Sequence, residues 1–349
     1  MPSGPASGAV RTTARLTLAP PTERDAPAWV RLHRDPRTYS HAPHAMPATD
    51  EIALAWFDAN LARFADLGYG FWLARDRGSG AVVGVAGVRP VGEGADAHLN
   101  LYYRLAADRI GEGLGREMAR AVLRYAAQWL PERPVRALVK EHNAASVATA
   151  LSIGMERVGT TVLEDDLPDE PPSTVLEAPR IERCTDFDAA TRAAVLDLWC
   201  AVNDAGGAVG FLPGAPRADV DAALQAHEAS MRAGWTVAGL LRGPHGDVLG
   251  VAFLVQSHNR LLAHGRSIYR VMVDPARRGR GLGQVLMAGL HGIARRDGVE
   301  IVSLGVRSGH GTEAFYEGCG YAEVGRIRGA IRVAPGDDRD SITMSRRLD

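Results

Sequence analysis

The stretch Ser267–Ile293 reads SIYRVMVDPARRGRGLGQVLMAGLHGI, which is an apolar strand, a polar loop with alternating glycines, and a helix. A second stretch, Leu99–Tyr125, reads LNLYYRLAADRIGEGLGREMARAVLRY and follows the same order. Gly113 and Gly281 occupy matching places 168 positions apart, about half of the 349-residue chain and a common domain size. The sequence therefore predicts an internal duplication with one strand–loop–helix unit in each half.

The segment between the two units, Glu164–Ala178, reads EDDLPDEPPSTVLEA and is acidic and rich in proline. It has neither helical nor strand periodicity, so we expect it to be a linker. The chain then divides into an N-terminal domain at residues 1–163, with a disordered tail at residues 1–10, and a C-terminal domain at residues 179–349.

Each half shows the same sequence of predicted elements. A short strand is followed by helical patterns, two strands joined by a glycine turn, the repeat strand, a long helix, another strand, a short helix and a last strand. Strand pairs before the glycine loop and a β–α–β unit around it indicate a mixed α/β fold in each half. The bounds predicted for the first half include a strand at Ala14–Leu18, helices at Asp50–Leu67 and Arg116–Leu130, and a strand at Val135–Lys140.

Composition excludes several classes of function. The net charge is −1, so there is no global sign of binding to nucleic acid. The sequence contains no run of eighteen apolar residues, so no membrane span is expected. Cys184, Cys200 and Cys319 are widely spaced, which indicates a reducing cytoplasm and no disulfide framework. No residues have metal-ligand spacing, and His41 and His44, in a proline-rich loop, are interpreted as turn residues.

The loop Arg278–Gly283 lies directly before a helix, where free backbone N–H groups and the positive end of the helix dipole favour an anion. Glycines let a phosphate approach the backbone, and the arginines add charged donors. The pattern indicates a pyrophosphate site, and the alternative is an ordinary tight turn. Neither loop has the Gly-Lys-Ser/Thr of a nucleotide-triphosphate loop, and Arg116 and Gln284 replace the last glycine of the dinucleotide fingerprint.

These residues resemble the GNAT acetyltransferase superfamily, whose central motif is Gln/Arg-x-x-Gly-x-Gly/Ala. Arg278–Gly283 matches that motif, and the strand end Val271–Pro275 precedes it. Downstream, Glu313–Tyr321 is similar to the closing motif of the family, a Phe-Tyr helix that ends in Gly-Tyr. The resemblance implies two tandem GNAT folds, each a mixed central sheet flanked by helices, with a splayed parallel strand pair.

The two halves resemble different branches. The second half is similar to the tabtoxin-resistance acetyltransferases, and the first to the ribosomal-protein-alanine (RimJ/RimL-type) acetyltransferases. Ile110 stands in the first half where the superfamily often has Gln or Arg, and Ala150 stands where the second half has Tyr316. Gly309 takes the place of the usual Asn, which Asn143 keeps in the first half.

The resemblance implies that acetyl-CoA is the co-substrate and lies in an opening between Tyr269–Val273 and Glu300–Val306. The backbone of Val271–Val273 would polarise the thioester carbonyl, and Tyr316 would protonate the departing thiolate. The residues implied for co-substrate binding in the second half are Val271, Met272, Val273, Arg278, Gly279, Arg280, Gly281, Leu282 and Gly283. In the first half they are Tyr103, Arg104, Leu105, Gly111, Glu112, Gly113, Leu114, Gly115, Asn143 and Ser146.

The general base stays open. The candidates are Ser267, Tyr269, His258, His264 and Asp204 in the second half, and His98, Asn100 and Tyr102 in the first.

We expect an N-acetyltransferase that acts on a small amine, including antibiotic-like metabolites, in its second domain, as a monomer or homodimer. The first domain would bind acetyl-CoA or be accessory. The alternatives are a protein N-terminal or lysine acetyltransferase, a non-catalytic acyl-CoA-binding protein, and, less favoured, a nucleotide-binding oxidoreductase.

Overall fold

The computed structural model describes residues 10–163 and 166–348. The chain divides into two compact units, and the division lies between Ala178 and Pro179. Apart from Val10, the disordered tail predicted at residues 1–10 lies outside the described residues, as do two residues of the predicted linker, 164 and 165.

In the first unit the strands are β1 (Arg11–Thr12), β2 (Leu16–Ala19), β3 (Phe71–Asp76), β4 (Val82–Val91), β5 (His98–Leu105), β6 (Val135–Lys140), β7 (Glu156–Thr161) and β8 (Ser173–Glu177). The helices are α1 (Ala26–His33), α2 (Asp50–Leu67), α3 (Leu114–Trp129) and α4 (Ala144–Ser152).

In the second unit the strands are β9 (Arg180–Cys184), β10 (Thr236–Arg242), β11 (Val248–Gln256), β12 (Gly265–Val273), β13 (Ile301–Arg307), β14 (Ala322–Ala334) and β15 (Asp337–Arg347). The helices are α5 (Ala189–Asp204), α6 (Arg217–Arg232), α7 (Leu282–Arg296) and α8 (Thr312–Glu317).

The two sheets have the same topology. The first runs β1-β2-β3-β4-β5-β6-β8-β7, and the second, read from its other end, runs β9-β10-β11-β12-β13-β15-β14. Neighbouring strands are antiparallel except for β5 with β6 and β12 with β13, which are parallel. The duplication and the mixed α/β fold predicted from the sequence are therefore confirmed, and among the strands of the described residues only β1 has no counterpart in the second sheet.

The parallel pair is splayed in both sheets. β12 pairs with β13 only from Gly265 to Ile268, so its last five residues leave the ladder. β5 pairs with β6 only at Leu99 and Asn100. Each sheet therefore opens beside the strand that leads into the glycine loop, as the resemblance implies.

Each unit has its own apolar core. Trp29, Phe57 and Val85 belong to a core cluster of the first unit, and Trp199 and Phe253 to one of the second. Burying an aromatic or branched side chain contributes about 1.5–3 kcal/mol, and these clusters pack helices α1, α2, α5 and α6 against their sheets. Each sheet is therefore held against its helices by a core of its own.

The predicted linker is wrong for its last third. Ser173–Glu177 forms β8, which lies between β6 and β7 and pairs antiparallel with both. The five residues are too short to show a period, and the acidic and proline content of the preceding residues hid the strand. Its pairing partner Val135–Lys140 lies more than thirty residues away, so tertiary pairing decides its structure.

Candidate functional site

The glycine loop of the second unit turns directly into helix α7. Gly279 and Gly281 have φ values of 79° and 84°, in the left-handed region that glycine adopts without strain. Gly281 is the N-cap of α7, and Leu282 after it is 2% exposed, so its side chain is part of the core. A Cβ on Gly283 would lie 3.2 Å from the Phe315 ring. The loop thus presents backbone, and little side chain, at the helix N-terminus.

The arginines of this loop differ in their surroundings. Arg277 lies 3.7 Å from a carboxylate oxygen of Asp247 and 3.9 Å from one of Asp274. Arg278 is exposed and Arg280 is half-buried. Arg278 and Arg280 therefore add positive charge at the surface of the loop, beside the positive end of the α7 dipole.

Strand β12 carries the predicted Val271, Met272 and Val273 into this loop. Val273 pairs with Gly250 and Met272 with Val251, both on β11, and Met272 is 1% exposed. On the other side, the strand has already separated from β13. The free edge of β12 therefore faces the sheet opening, as a strand that pairs with an extended ligand would require.

Tyr316 lies in the short helix α8, whose neighbour Phe315 covers Gly283 of the loop. Its ring is 5.0 Å from the Phe315 ring and 5.9 Å from the Tyr321 ring, both in edge-to-face arrangements. Burial raises the pKa of Tyr316 above its ordinary value, and Cys319 adds to that rise. The phenol therefore stays protonated at neutral pH, which is the form that a general acid requires.

The first unit repeats the loop geometry with fewer charges. Gly111 and Gly113 have φ values of 92° and 75°, and Gly113 is the N-cap of α3. The carboxylate of Glu112 is 2.8 Å from Arg109. Leu114 is fully buried, and α3 begins at this residue, so the predicted helix start at Arg116 is two residues late.

A cleft of about 810 Å³ occupies the opening between β5 and β6. It brings together eight of the ten residues predicted for the first half. They are Tyr103, Arg104, Leu105, Gly111, Gly113, Gly115, Asn143 and Ser146. Glu112 and Leu114 are not among its lining residues, because one is paired with Arg109 and the other is a core side chain.

Several of these residues hold one another in place. The Tyr103 hydroxyl donates to the Ser146 carbonyl at 3.2 Å, which ties β5 to α4. The Asn143 side chain accepts from the Ser146 N–H at 3.2 Å and caps α4. Arg104 stacks over the Tyr39 ring at 3.7 Å and donates to Thr38. Their positions therefore have structural causes as well as any role toward a ligand.

A group of charged side chains at the wall of this cleft was not predicted from the sequence. Lys140, the one lysine of the chain, lies 2.7 Å from Asp166 and 3.7 Å from Glu170, and all three line the cleft. His44, interpreted as a turn residue, also lines it and is 3.5 Å from Glu170. Ser173 is 1% exposed, and its hydroxyl has no hydrogen-bond partner among the described residues. In the sequence, the one indication of this group is the proline-rich character of the segments that contain His44 and Glu170.

The base candidates are scattered. Of those in the first half, Tyr102 lines the cleft, whereas His98 has one ring nitrogen 2.8 Å from the Asp96 carbonyl. In the second half, Asp204 accepts from the Gly214 N–H, and His258 packs 4.2 Å from the Trp235 ring. Tyr269 is 47% exposed.

Within residues 10–163 and 166–348, no group of three or more His, Cys, Asp or Glu side chains is arranged to hold a metal ion. None of the helices described is both long enough and apolar enough to cross a bilayer.

Solved structures similar to this chain come from several bacteria. A GnaT-family acetyltransferase of Bordetella pertussis is 23% identical over 49% of this chain and 99% of its own, with a TM-score of 0.42. A ribosomal-protein-alanine N-acetyltransferase of Brucella melitensis is 21% identical over 48% and 99%, with a TM-score of 0.41. A Salmonella typhimurium protein described as an acetyltransferase, solved with its cofactor acetyl-CoA, is 21% identical over 49% and 94%, with a TM-score of 0.41.

Family models match both halves of the chain. Residues 15–156 match the acetyltransferase (GNAT) domain model, and residues 166–321 match the acetyltransferase (GNAT) family model. Together the two matches span most of the sequence and agree with the two sheets of the same topology. The chain belongs to the GNAT acetyltransferases, with two such domains in tandem.

Proposed function

We propose that this protein transfers the acetyl group of acetyl-CoA to the amine of a small molecule, antibiotic-like metabolites included, and that its second domain carries out the transfer. GNAT acetyltransferases use acetyl-CoA as co-substrate. The supporting observation is the arrangement around β12: its last residues have left β13, the glycine loop follows it, and Phe315 of the helix that carries Tyr316 packs against Gly283 of that loop.

The residues of this opening fit acetyl-CoA. The glycine loop with Arg278 and Arg280 offers backbone N–H groups and positive charge to the pyrophosphate. The free edge of Val271–Val273 offers backbone groups to the pantetheine arm and to the thioester carbonyl. The thioester supplies the acetyl group in activated form.

The transfer requires an unprotonated amine, because an ammonium has no lone pair for attack. In the proposed step the amine nitrogen forms a bond to the acetyl carbon and gives up one proton to solvent, and the bond from that carbon to sulfur breaks. Tyr316 donates its phenolic proton to the departing thiolate and regains a proton from solvent.

The first domain has the co-substrate cleft without that acid. Ala150, at the place that Tyr316 has in the second domain, is fully buried in α4. This favours acetyl-CoA binding without the tyrosine-assisted step, so we infer that the first domain binds acetyl-CoA in an accessory role.

Calorimetry with acetyl-CoA tests these assignments. The wild type should show two sites, Gly113→Glu should lose one and Gly281→Glu should lose the other, because each glycine has a positive φ at a helix N-cap where an acidic side chain repels phosphate. Arg278→Glu, on an exposed residue, is the companion variant if Gly281→Glu fails to fold.

The outcomes are distinct. One site that only Gly281→Glu removes would make the first domain a scaffold without co-substrate. A site that only Gly113→Glu removes would contradict transfer in the second domain, and the absence of any binding would contradict the proposed function itself.

A further inference from the structure

Arg270 has an unusual backbone conformation. It is the only non-glycine residue with a positive φ, 54°, among residues 10–163 and 166–348. It lies in a bulge of β12, because Met272 pairs with Val251 and Tyr269 pairs with Phe253, so that Arg270 and Val271 together oppose one residue of β11. A side chain in the left-handed region is energetically unfavourable and is kept only where its surroundings require it.

The bulge lies where β12 leaves β13. The ladder between the two strands ends at Ile268, two residues before Arg270. Bulges often redirect a side chain next to a functional site. Arg270 therefore lies just beyond the point where the two strands separate, and the glycine loop begins eight residues further along the chain.

The guanidinium of Arg270 enters apolar surroundings. Its central carbon is 5.3 Å from the centre of the Trp199 ring, in a cation–π arrangement. A Cβ on Gly210 would lie 2.3 Å from one of its terminal nitrogens, so the loop after α5 approaches it with backbone alone. Burial, with Arg270 nearby, lowers the pKa of His227 to about 4, so this imidazole is neutral at pH 7.

No anion in the described part of the chain balances this charge. Among residues 10–163 and 166–348, no carboxylate lies within salt-bridge distance of Arg270, and its buried Nε has no hydrogen-bond partner. Arg192, half-buried on the neighbouring helix α5, pairs instead with Asp221 at 2.6 Å and Glu228 at 3.0 Å. A partly buried guanidinium without a counter-ion is costly unless a ligand supplies one.

We propose that Arg270 binds a carboxylate of the acceptor, so that the second domain acetylates amines that also carry a carboxylate, such as amino acids. The inference rests on the proposed function of that domain. A guanidinium offers parallel N–H donors that match the two oxygens of a carboxylate, and the Trp199 ring lies beside it.

In this arrangement Arg270 orients the acceptor and keeps its own proton throughout. With the carboxylate held at Arg270, the amine reaches the thioester beside the free edge of β12. The carbon–nitrogen bond forms, the carbon–sulfur bond breaks, one amine proton passes to solvent, and the thiolate takes its proton from Tyr316. No oxidant or further reactant is needed.

Matched pairs of acceptors test the proposal. The common amino acids and their carboxamides, which keep the amine and lose the carboxylate, are each incubated with acetyl-CoA while thiol release is followed. We expect the best amino acid to exceed its amide by about 100-fold in kcat/KM, because a site built for a polar group discriminates strongly against its absence.

Arg270→Met should raise the KM for the amino acid and bring the ratio of acid to amide close to one. Arg270→Lys should restore part of the preference, because it keeps the charge without the planar pair of donors. Arg266→Gln is the matched control, since Arg266 lies on the same strand and donates to the carbonyls of Ala263 and Gly265. It should leave the ratio unchanged.

Stability gives a readout independent of turnover. If the function of Arg270 is to bind a ligand, the ligand-free Arg270→Met variant should unfold at a thermal midpoint no lower than that of the wild type. The reason is that the substitution replaces an unpaired cation with an apolar side chain. A clearly lower midpoint would make Arg270 a structural residue and overturn the proposal.

The remaining outcomes separate this inference from the proposed function. Equal turnover of acids and amides would overturn the carboxylate site and leave the transferase intact. Loss of acetyl-CoA binding in Arg270→Met, as in Gly281→Glu, would assign Arg270 to the co-substrate and also overturn it. Acetyl-CoA binding without turnover of any amine would contradict the proposed function, and this inference with it.

Discussion

Two tyrosines five positions apart have different surroundings in the second domain. Tyr321 is 4% exposed, and its hydroxyl is 2.8 Å from Nε2 of His291, a buried residue of α7. The ring of Tyr316 packs against the rings of Phe315 and Tyr321. Phe315, also in α8, packs in turn against Gly283 of the glycine loop. The geometry therefore gives Tyr321 a structural hydrogen bond and leaves Tyr316 the better candidate for the acid.

Tyr316→Phe should lower kcat by about 100-fold, because general acid catalysis contributes on the order of 10²–10⁴. Acetyl-CoA affinity should change little, since the ring is kept. Steady-state kinetics with any accepted amine, together with calorimetry, measure both quantities.

Tyr321→Phe is the control for this change. It should leave kcat near the wild-type value and reduce the free energy of unfolding by about 1 kcal/mol, the usual contribution of one hydrogen bond. A larger loss of kcat in Tyr321→Phe than in Tyr316→Phe would reverse the assignment of the acid.

At the scale of elements, α7 matters because its N-terminus carries the glycine loop. Gly289 lets this helix pack closely on β9, since a Cβ there would lie 2.6 Å from the Ile181 side chain. The position of the loop therefore depends on the contact between Gly289 and Ile181, seven residues after the first residue of α7.

Gly289→Ala should reduce the free energy of unfolding of the second domain by about 1–3 kcal/mol, the usual cost of overpacking a core. Gly325→Ala, on β14, should change it by less than about 0.5 kcal/mol, because no described residue except its two chain neighbours lies within 4 Å of the added methyl group. Urea unfolding of both variants provides the comparison, and equal stabilities would contradict the close packing at Gly289.

Helix and strand bounds were predictable where local signals were strong. Asp50–Leu67 was predicted at its observed bounds, and in the structure Thr49 caps its start and Gly68, with φ of 74°, ends it. The strand Val135–Lys140, which is β6, was likewise predicted at its observed bounds. β8 was missed, because its pairing partners are distant in sequence.

Across the whole molecule, histidines buried in the neutral form couple stability to pH. Burial lowers the pKa of His33 to about 4 and that of His291 to about 3, with Arg346 contributing at His291. Both are 2% exposed. The unfolded chain binds these protons below a pH of about 6.5 and the folded chain does not, so stability is complete above that pH and is lost as the pH falls toward 4.

We therefore expect the free energy of unfolding to decrease between pH 6.5 and 5 by up to about 1.4 kcal/mol per pH unit for each of these histidines. Urea unfolding at several pH values measures the slope. His33→Phe keeps the ring that stacks 4.2 Å from Trp29 and removes the proton site, so it should flatten the slope of the first domain. An unchanged slope would show that His33 does not contribute.

The sequence by itself determined the duplication, the mixed α/β class, most strands and helices, and the two glycine loops, because all of these depend on local patterns. Tertiary structure alone decided where each parallel pair separates, that Ser173–Glu177 completes the first sheet, and that Lys140, Asp166, Glu170 and His44 meet in one cleft. It also decided that Arg270 has no counter-ion among the described residues. The reason is physical: pairing register, burial and charge balance depend on residues that lie far apart along the chain and become neighbours only when it folds.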